Sequence, residues 1–125
     1  MEIKLVGVVG AGQMGNGIAH VFALAGYNVV MTDISEDSLS RALGTIEKNI
    51  ERQVSRGKVM PADKRAAMER ISTTLKLADL GQCDLIIEAA TERETVKQAI
   101  FEDLLPHLKP TTILTSNTSS ISITR

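Results

Sequence analysis

A glycine-rich loop between an apolar run and an amphipathic segment is the feature that most constrains the fold of this chain. The apolar run Ile3 to Val9 leads directly into the sequence GAGQMG at positions 10–15, which fits the pattern G-x-G-x-x-G. Met14 to Ala25 then has helical spacing, and a second apolar run, Asn28 to Thr32, is followed by Asp33, 18 residues after the last glycine of the loop. A strand, a glycine loop, a helix and a second strand ending at an acid predict a dinucleotide-binding βαβ unit.

Each glycine of the loop has a physical role in such a unit. Gly10 permits the tight turn, Gly12 lets the backbone approach a pyrophosphate, and Gly15 lets the helix lie close to the strand. Gln13 and Met14 start the helix, where free N–H groups and the positive end of the helix dipole attract phosphate. We therefore predict that these five residues bind the cofactor pyrophosphate; the alternative is a turn that serves only strand–helix packing.

Asp33 selects between the two nicotinamide cofactors. A carboxylate at the end of the second strand accepts hydrogen bonds from the adenosine ribose hydroxyls and repels a 2′-phosphate. The next residues are Ile34 and Ser35, with no arginine to receive a phosphate. The sequence therefore predicts NAD rather than NADP, although Asp33 could also cap the helix that follows.

Further strands and helices alternate along the rest of the chain. Three further strands are predicted, at Ile71 to Leu75, Asp84 to Ala89 and Ile113 to Thr115. Three further helices are predicted: one from the Ser35 cap to Gly57, one from Pro61 to about Glu69, and one from Arg93 to Leu105. This alternation predicts an α/β fold of the Rossmann type, a doubly wound parallel sheet with right-handed crossovers. We expect residues 1–125 to form one domain.

Composition excludes several classes of function. The chain has 14 basic and 15 acidic side chains for a net charge of −1, so we expect neither a nucleic-acid nor an acidic-membrane partner. No apolar stretch approaches the roughly 18 residues of a membrane helix. Cys83 is the only cysteine, which excludes an internal disulfide and a multi-cysteine zinc site; we predict that it is buried, and we expect no metal. A cytoplasmic setting is the default interpretation.

Two polar stretches follow the fourth and fifth predicted strands. They are Glu88 to Arg93 and Thr115 to Ser120. The carboxyl ends of neighbouring parallel strands meet at one edge of the sheet, where ligands bind. Composition alone favours loop chemistry and helix capping for both stretches over cofactor contacts.

Taken together, the motifs resemble a known family. The motif residues are G-A-G-x-M-G-x-G-I-A at Gly10 to Ala19, Asp33, I-E-A-A-T-E at Ile87 to Glu92, and S-N-T-S-S at Ser116 to Ser120. This set is similar to the N-terminal NAD-binding domain of 3-hydroxyacyl-CoA dehydrogenases. The segment from Arg52 to Lys58 most resembles the bacterial 3-hydroxybutyryl-CoA branch of the family. The resemblance implies oxidation of the 3-hydroxyl of an acyl-CoA by NAD in fatty acid and butanoate metabolism, with 3-hydroxybutyryl-CoA and acetoacetyl-CoA as partners.

The resemblance also assigns roles to single residues. It implies that Glu92 and Lys97 lie near the cofactor, that Ser119 contacts substrate near the reacting carbon, and that Asn117 lies beside it at the cofactor. It implies that Asn49 and Arg56 on the second helix contact CoA. The alternative for Arg56 is a solvated helix end, where a cation is favourable.

The family's catalytic base is a histidine in an H-F-x-N-P segment, oriented by a later glutamate. Neither occurs in these 125 residues. We therefore expect the chain to be the cofactor half of the enzyme, truncated before the last strand and the helical C-terminal domain. We expect this half to bind cofactor without turnover. His20 is predicted on a helix face and His107 in a surface loop, both without a catalytic role.

Two alternative functions stay open: a free-standing NAD-binding module that senses or regulates without catalysis, and a β-hydroxyacid or sugar-acid dehydrogenase. We also expect the fifth strand to have an unpaired edge through which two chains self-associate, unless the last residues fold back to cover it. The segment Ser120 to Ile123 is predicted to be extended or to start a short helix.

Overall fold

Strands and helices alternate in residues 3–90, 94–116 and 122–123, which the computed structural model describes. The strands are β1 (Leu5–Val9), β2 (Asn28–Thr32), β3 (Ile71–Thr74), β4 (Leu85–Glu88), β5 (Ile113–Ser116) and β6 (Ser122–Ile123). The helices are α1 (Gln13–Leu24), α2 (Glu36–Ser55), α3 (Pro61–Arg70) and α4 (Glu94–Leu104), with short 3-10 helices at Leu77–Leu80 and Leu105–His107. The predicted elements are confirmed, with ends that differ by one or two residues.

The strands form one sheet in the order β3-β2-β1-β4-β5-β6. The first five pair in parallel, which confirms the predicted Rossmann-type fold. From β1 the chain adds β2 and β3 on one side and β4 and β5 on the other. The switch point between β1 and β4 is where such sheets bind ligands, at the carboxyl ends of the strands.

The last strand corrects one expectation and confirms another. β6 pairs antiparallel with β5, Leu114 opposite Ile123 and Thr115 opposite Ser122. The edge of β5 that we expected to be free is therefore partly covered within the chain. Ser122–Ile123 is extended, as one of the two alternatives predicted.

Apolar side chains fill both faces of the sheet, because helices cover both. On one face, Val6 and Val8 of β1 pack with the buried side of α2, which includes Ile46 and Ile50. On the other, Val9 packs with a second cluster that contains Leu80, Cys83, Ile86, Leu104 and Leu114. Cys83 is fully buried, as predicted. Its burial raises the pKa of the thiol to about 12, so this thiol is unsuited to act as a nucleophile.

Local signals set the long helix α2. The Ser35 hydroxyl accepts the Ser38 N–H at 3.2 Å and caps the helix. Leu39, Ala42, Ile46 and Ile50 recur on its buried side. Glycine at position 57, with φ +75°, lets the chain turn away.

Candidate cofactor site

The glycine loop packs tightly against the ends of two strands. Gly10 has φ +107°, a conformation that favours glycine, and its N–H donates to the Thr32 carbonyl at the end of β2 at 2.8 Å. A Cβ at Gly10 would lie 2.7 Å from the Cα of Ala90, and a Cβ at Gly15 would lie 1.8 Å from the Gly10 carbonyl oxygen. The loop therefore excludes side chains at both positions, and α1 starts directly against it.

Gly12 differs from these two glycines, because open space surrounds it. No heavy atom lies within 4 Å of where its Cβ would be. Gly12 precedes α1, and the first N–H to bond within this helix is that of Asn16, which donates to the Gly12 carbonyl at 2.9 Å. The N–H groups of the preceding residues have no partner within the helix. Gln13 and Met14 are exposed and the first turn holds no acidic side chain, so this end of α1 suits an anionic group.

Asp33 ties the glycine loop to the end of β2. One carboxylate oxygen accepts the Ala11 N–H at 2.8 Å, and the other accepts the Ser35 N–H at 3.1 Å. Ser35, and not Asp33, is the residue that caps α2. A carboxylate oxygen accepts more than one hydrogen bond, so Asp33 keeps capacity for ribose hydroxyls.

A cavity of about 690 Å³ opens beside Asp33. Its volume is in the range of ligand pockets. It is lined by Val9, Gly10, Thr32, Asp33, Ile34, Leu75, Lys76, Leu77, Ala78, Ala90, Val96, Ile100, Asp103 and His107. The structure thus brings Gly10 and Asp33 together, as predicted from sequence, in a mainly apolar cavity that would accept a flat ring.

Sequence reasoning missed one wall of this cavity. Leu75 to Ala78 follow β3, and Val96, Ile100 and Asp103 lie on α4. The strand signal could have indicated the first group, because β3 lies beside β2 and its carboxyl end reaches the same edge of the sheet. The α4 residues depend on how that helix packs, for which the sequence has no local signal.

The structure places the two histidines apart. The Nε2 of His20, on α1, lies 2.9 Å from the Gln53 side-chain oxygen of α2, in agreement with a helix-face position. His107 is exposed, but it ends a short 3-10 helix and lines the cavity, so the prediction of a surface loop residue is wrong in part. Pro106 precedes His107 in this short turn, which begins at Leu105.

Lys97 is buried rather than open to the cavity. It is 5% exposed, and its Nζ lies 3.9 Å from the Oε1 of the fully buried Glu88. The Ser116 hydroxyl donates to the same oxygen at 2.9 Å, and the Ala90 N–H donates to the other at 2.7 Å. A buried carboxylate therefore connects the ends of β4 and β5 with α4.

The remaining predicted residues lie apart from the cavity or outside the described part. Asn49 is half-buried on α2, and Arg56 is exposed just after the end of that helix. They are two helical turns apart, with Gln53 between them, and neither lines the cavity. Glu92, Asn117 and Ser119 lie outside the described residues.

Together these groups fit a dinucleotide. Open space and helix N–H groups at Gly12 suit a pyrophosphate, the Asp33 carboxylate suits a ribose diol, and the apolar cavity beyond it suits a base. Among the described residues, no three His, Cys, Asp or Glu side chains are grouped to hold a metal ion. No helix within the described ranges combines the length and apolarity that crossing a membrane requires.

Comparison with known proteins agrees with this geometry. Residues 5–125 match the family model described as 3-hydroxyacyl-CoA dehydrogenase, NAD binding domain. The chain is 56% identical over 123 residues to a 3-hydroxybutyryl-CoA dehydrogenase of Bradyrhizobium diazoefficiens, which covers 98% of this chain and 42% of that protein. It is 41% identical to a 3-hydroxyadipyl-CoA dehydrogenase of Escherichia coli over 99% of this chain and 26% of that protein.

A solved structure is similar throughout. The crystal structure of (S)-3-hydroxybutyryl-CoA dehydrogenase from Ralstonia eutropha superposes with a TM-score of 0.92 at 42% identity, covering 98% of this chain and 43% of that one. The chain thus spans less than half the length of these relatives.

Proposed function

Because this chain belongs to the family of 3-hydroxyacyl-CoA dehydrogenase NAD-binding domains, we propose that it binds NAD across the carboxyl ends of β2, β1 and β4 for hydride transfer. NAD accepts the hydride in the dehydrogenase reaction. The 3-hydroxyl of an acyl-CoA is the group that we propose is oxidised to a ketone. Residues 1–125 act as one cofactor-binding domain, in a cytoplasmic setting.

The single observation that carries the proposal is the bridge made by Asp33. Its carboxylate accepts the N–H of Ala11 in the glycine loop. Asp33 also lines the cavity, together with Gly10. One side chain thereby fixes the loop for the pyrophosphate and presents oxygen acceptors for the adenosine ribose. A 2′-phosphate at the same place would meet a like charge, which favours NAD over NADP.

The chain's other residues bind and orient. Gln13, Met14 and Gly15 present backbone N–H groups to the pyrophosphate, and Gly12 leaves the space that it needs. We propose that Glu92, Lys97 and Asn117 complete the cofactor site and that Ser119 contacts substrate beside it. Asn49 on α2 and Arg56 just after it would bind CoA, since Arg56 adds a cation to a helix end that already carries Arg52 and Lys58.

The relatives' names support the substrate class. Two relatives, 56% and 41% identical to this chain, are named for acyl-CoA substrates, 3-hydroxybutyryl-CoA and 3-hydroxyadipyl-CoA. We propose 3-hydroxybutyryl-CoA and acetoacetyl-CoA as the substrate pair. General-base help is worth roughly 10²–10⁴-fold. The H-F-x-N-P segment does not occur in residues 1–125, and neither His20 nor His107 has that motif. We therefore expect negligible acetoacetyl-CoA reduction by these 125 residues alone.

Titration with NADH followed by its fluorescence tests the proposal, with NAD and NADP as competitors. We expect NAD to displace NADH at concentrations at least about tenfold lower than NADP does, because a desolvated like-charge contact costs more than about 1.4 kcal/mol. Equal displacement by both cofactors, or no binding of NADH, would contradict the proposed function.

A further inference from the structure

A cluster of buried polar side chains lies beneath the carboxyl ends of β4 and β5. Glu88 is fully buried, and its two oxygens accept the Ala90 N–H at 2.7 Å and the Ser116 hydroxyl at 2.9 Å. The Lys97 ammonium, 5% exposed, lies 3.9 Å from the oxygen that Ser116 binds. Burying these charges costs free energy unless each charge is paired, so the fold tolerates such a cluster only where the partner groups are held in position.

That place is the switch point of the sheet. Glu88 pairs in register with Val9 of β1 on one side and with Ser116 of β5 on the other. The strand order reverses between β1 and β4, where ligands bind in such sheets. Asp33 lies on the opposite side of β1, at the end of β2. An NAD molecule with its adenosine at Asp33 must therefore extend across β1 towards Glu88.

Glu88 also controls the surface against which the glycine loop packs. The missing Cβ of Gly10 would lie 2.7 to 2.9 Å from the backbone atoms of Ala89 and Ala90. The bond from the Ala90 N–H to Glu88 holds that backbone segment in place. Any shift of residue 90 would either collide with the loop or open a gap beside it.

We propose that Glu88 is a positioning residue for the nicotinamide half of the cofactor. Its carboxylate sets three groups at once relative to the glycine loop: the backbone of Ala90, the end of β5 at Ser116, and the Lys97 ammonium on α4. The adenosine half depends chiefly on Asp33 and on the other cavity walls, because Ala90 is the only one of these three groups that also lines the cavity. This inference rests on the proposed function, since it deepens the same site.

Calorimetry with two ligands separates positioning from general stability. We compare NAD with AMP, which carries only the adenosine and one phosphate, on the parent chain, on Glu88→Gln and on Glu51→Gln. Glu51 forms an exposed ion pair with Lys64 at 2.8 Å and serves as the matched control. In Glu88→Gln the amide cannot accept at both ends, so we expect NAD affinity to fall at least about tenfold and AMP affinity to stay within about twofold. Both affinities stay unchanged in Glu51→Gln.

Glu88→Asp is the second variant, and it decides the matter if Glu88→Gln does not fold. It keeps the charge beside Lys97 and withdraws the oxygens from Ala90 and Ser116 by one methylene, so we expect the same selective loss of NAD affinity. Full NAD affinity in a folded variant, or equal losses for NAD and AMP, would overturn the inference. A parent chain that binds no NAD would instead contradict the proposed function.

Discussion

At the scale of single residues, we propose that Asp33 selects the cofactor. Removing its carboxylate in Asp33→Ala takes away the acceptor for the ribose and the bond to the Ala11 N–H. A hydrogen bond to a charged group is worth roughly 1.5–3 kcal/mol, so we expect NAD affinity to fall roughly 10- to 150-fold. The 2′-phosphate of NADP is no longer repelled by the Asp33 carboxylate, so the difference between the affinities for NAD and NADP becomes smaller.

Calorimetry with both cofactors measures this change. Asp37→Ala removes an exposed carboxylate four residues further on, in the first turn of α2, and is the control. An unchanged preference for NAD in Asp33→Ala would show that another residue selects the cofactor.

Alanine substitution at two glycines of the loop should affect different properties, namely stability at Gly15 and NAD affinity at Gly12. In Gly15→Ala the new Cβ would meet the Gly10 carbonyl oxygen at 1.8 Å, so we expect a loss of at least about 1–3 kcal/mol in the free energy of unfolding. In Gly12→Ala the Cβ enters open space, so stability changes by less than about 1 kcal/mol. NAD affinity nevertheless falls about tenfold or more, because the methyl group occupies the place of the pyrophosphate.

Denaturant unfolding and NAD titration of the two variants check this pair. Gly17→Ala, also in open space on α1, is the control and should keep NAD affinity. If Gly12→Ala binds NAD with the affinity of the parent chain, the glycine loop does not bind the pyrophosphate.

The local packing of single residues could be predicted where it follows from local backbone geometry. Gly10, Gly15 and Asp33 were found because a tight turn, a close helix and an acid at a strand end each leave a sequence signal. The partners of Lys97 could not be found in this way. Its burial against Glu88 depends on the register between β4 and β5 and on the packing of α4, and neither is encoded near residue 97.

At the scale of elements, Asp84 joins the amino-terminal ends of three strands. Its carboxylate accepts the N–H groups of Lys4 and Leu5 at 2.9 and 3.0 Å and the Lys109 ammonium at 2.6 Å. The Lys109 ammonium, with these two N–H groups, holds the pKa of the Asp84 carboxyl well below its usual range. A carboxyl with a lowered folded-state pKa stabilises the fold above its unfolded pKa of about 3.9, and this contribution is lost as the pH falls below that value.

Unfolding of the parent and of Asp84→Asn, measured between pH 7 and pH 2.5, tests this clamp. We expect the variant to be less stable at pH 7 and the difference from the parent to shrink below about pH 4. Glu102→Gln, an exposed carboxylate on α4, should follow the parent at every pH. A constant difference across the range would mean that the charge of Asp84 is not what stabilises the strands.

The edge of β5 is where we predict that two chains associate. In the part of the chain that the structure describes, β6 pairs with only Leu114 and Thr115 of this strand, and Ile113 is 43% exposed. Unpaired strand edges are templates for pairing, and a short terminal strand can exchange between two chains. We expect a dimer fraction that rises with concentration in sedimentation and falls in Ile123→Lys. Val21→Lys, at an exposed apolar position on α1, should not change it, and a parent that stays monomeric at high concentration would contradict the prediction.

Elements with a strong pattern were predicted nearly to the residue, and β6 was predicted only as one of two alternatives. β2 and α3 have clear signals, an apolar run for the first and Pro61 at the start of the second. A strand of two residues has no periodicity of its own, because pairing with β5 is what makes it a strand.

At the scale of the whole molecule, the cofactor class could be predicted from one βαβ unit and the fold from the alternation of strands and helices, but neither predicted the cavity. The glycine loop and Asp33 mark where the first two strands end. The far wall of the cavity comes from the segment after β3 and from α4, which are more than 40 residues away from Asp33 in sequence. Only the completed sheet brings them to the same edge.

Amide chemical-shift mapping tests most directly whether NAD binds at this edge. The ¹H–¹⁵N spectrum of the chain is recorded with increasing NAD, and AMP is titrated for comparison. We predict the largest shifts for NAD at the amides of residues 11–15, at Ser35 and at Ala90, with AMP affecting Ser35 and the cavity wall at Leu75 to Ala78 most strongly. Shifts centred on the groove between α2 and α3, around Glu51 and Lys64, with the glycine-loop amides unmoved, would contradict a cofactor site at the strand ends.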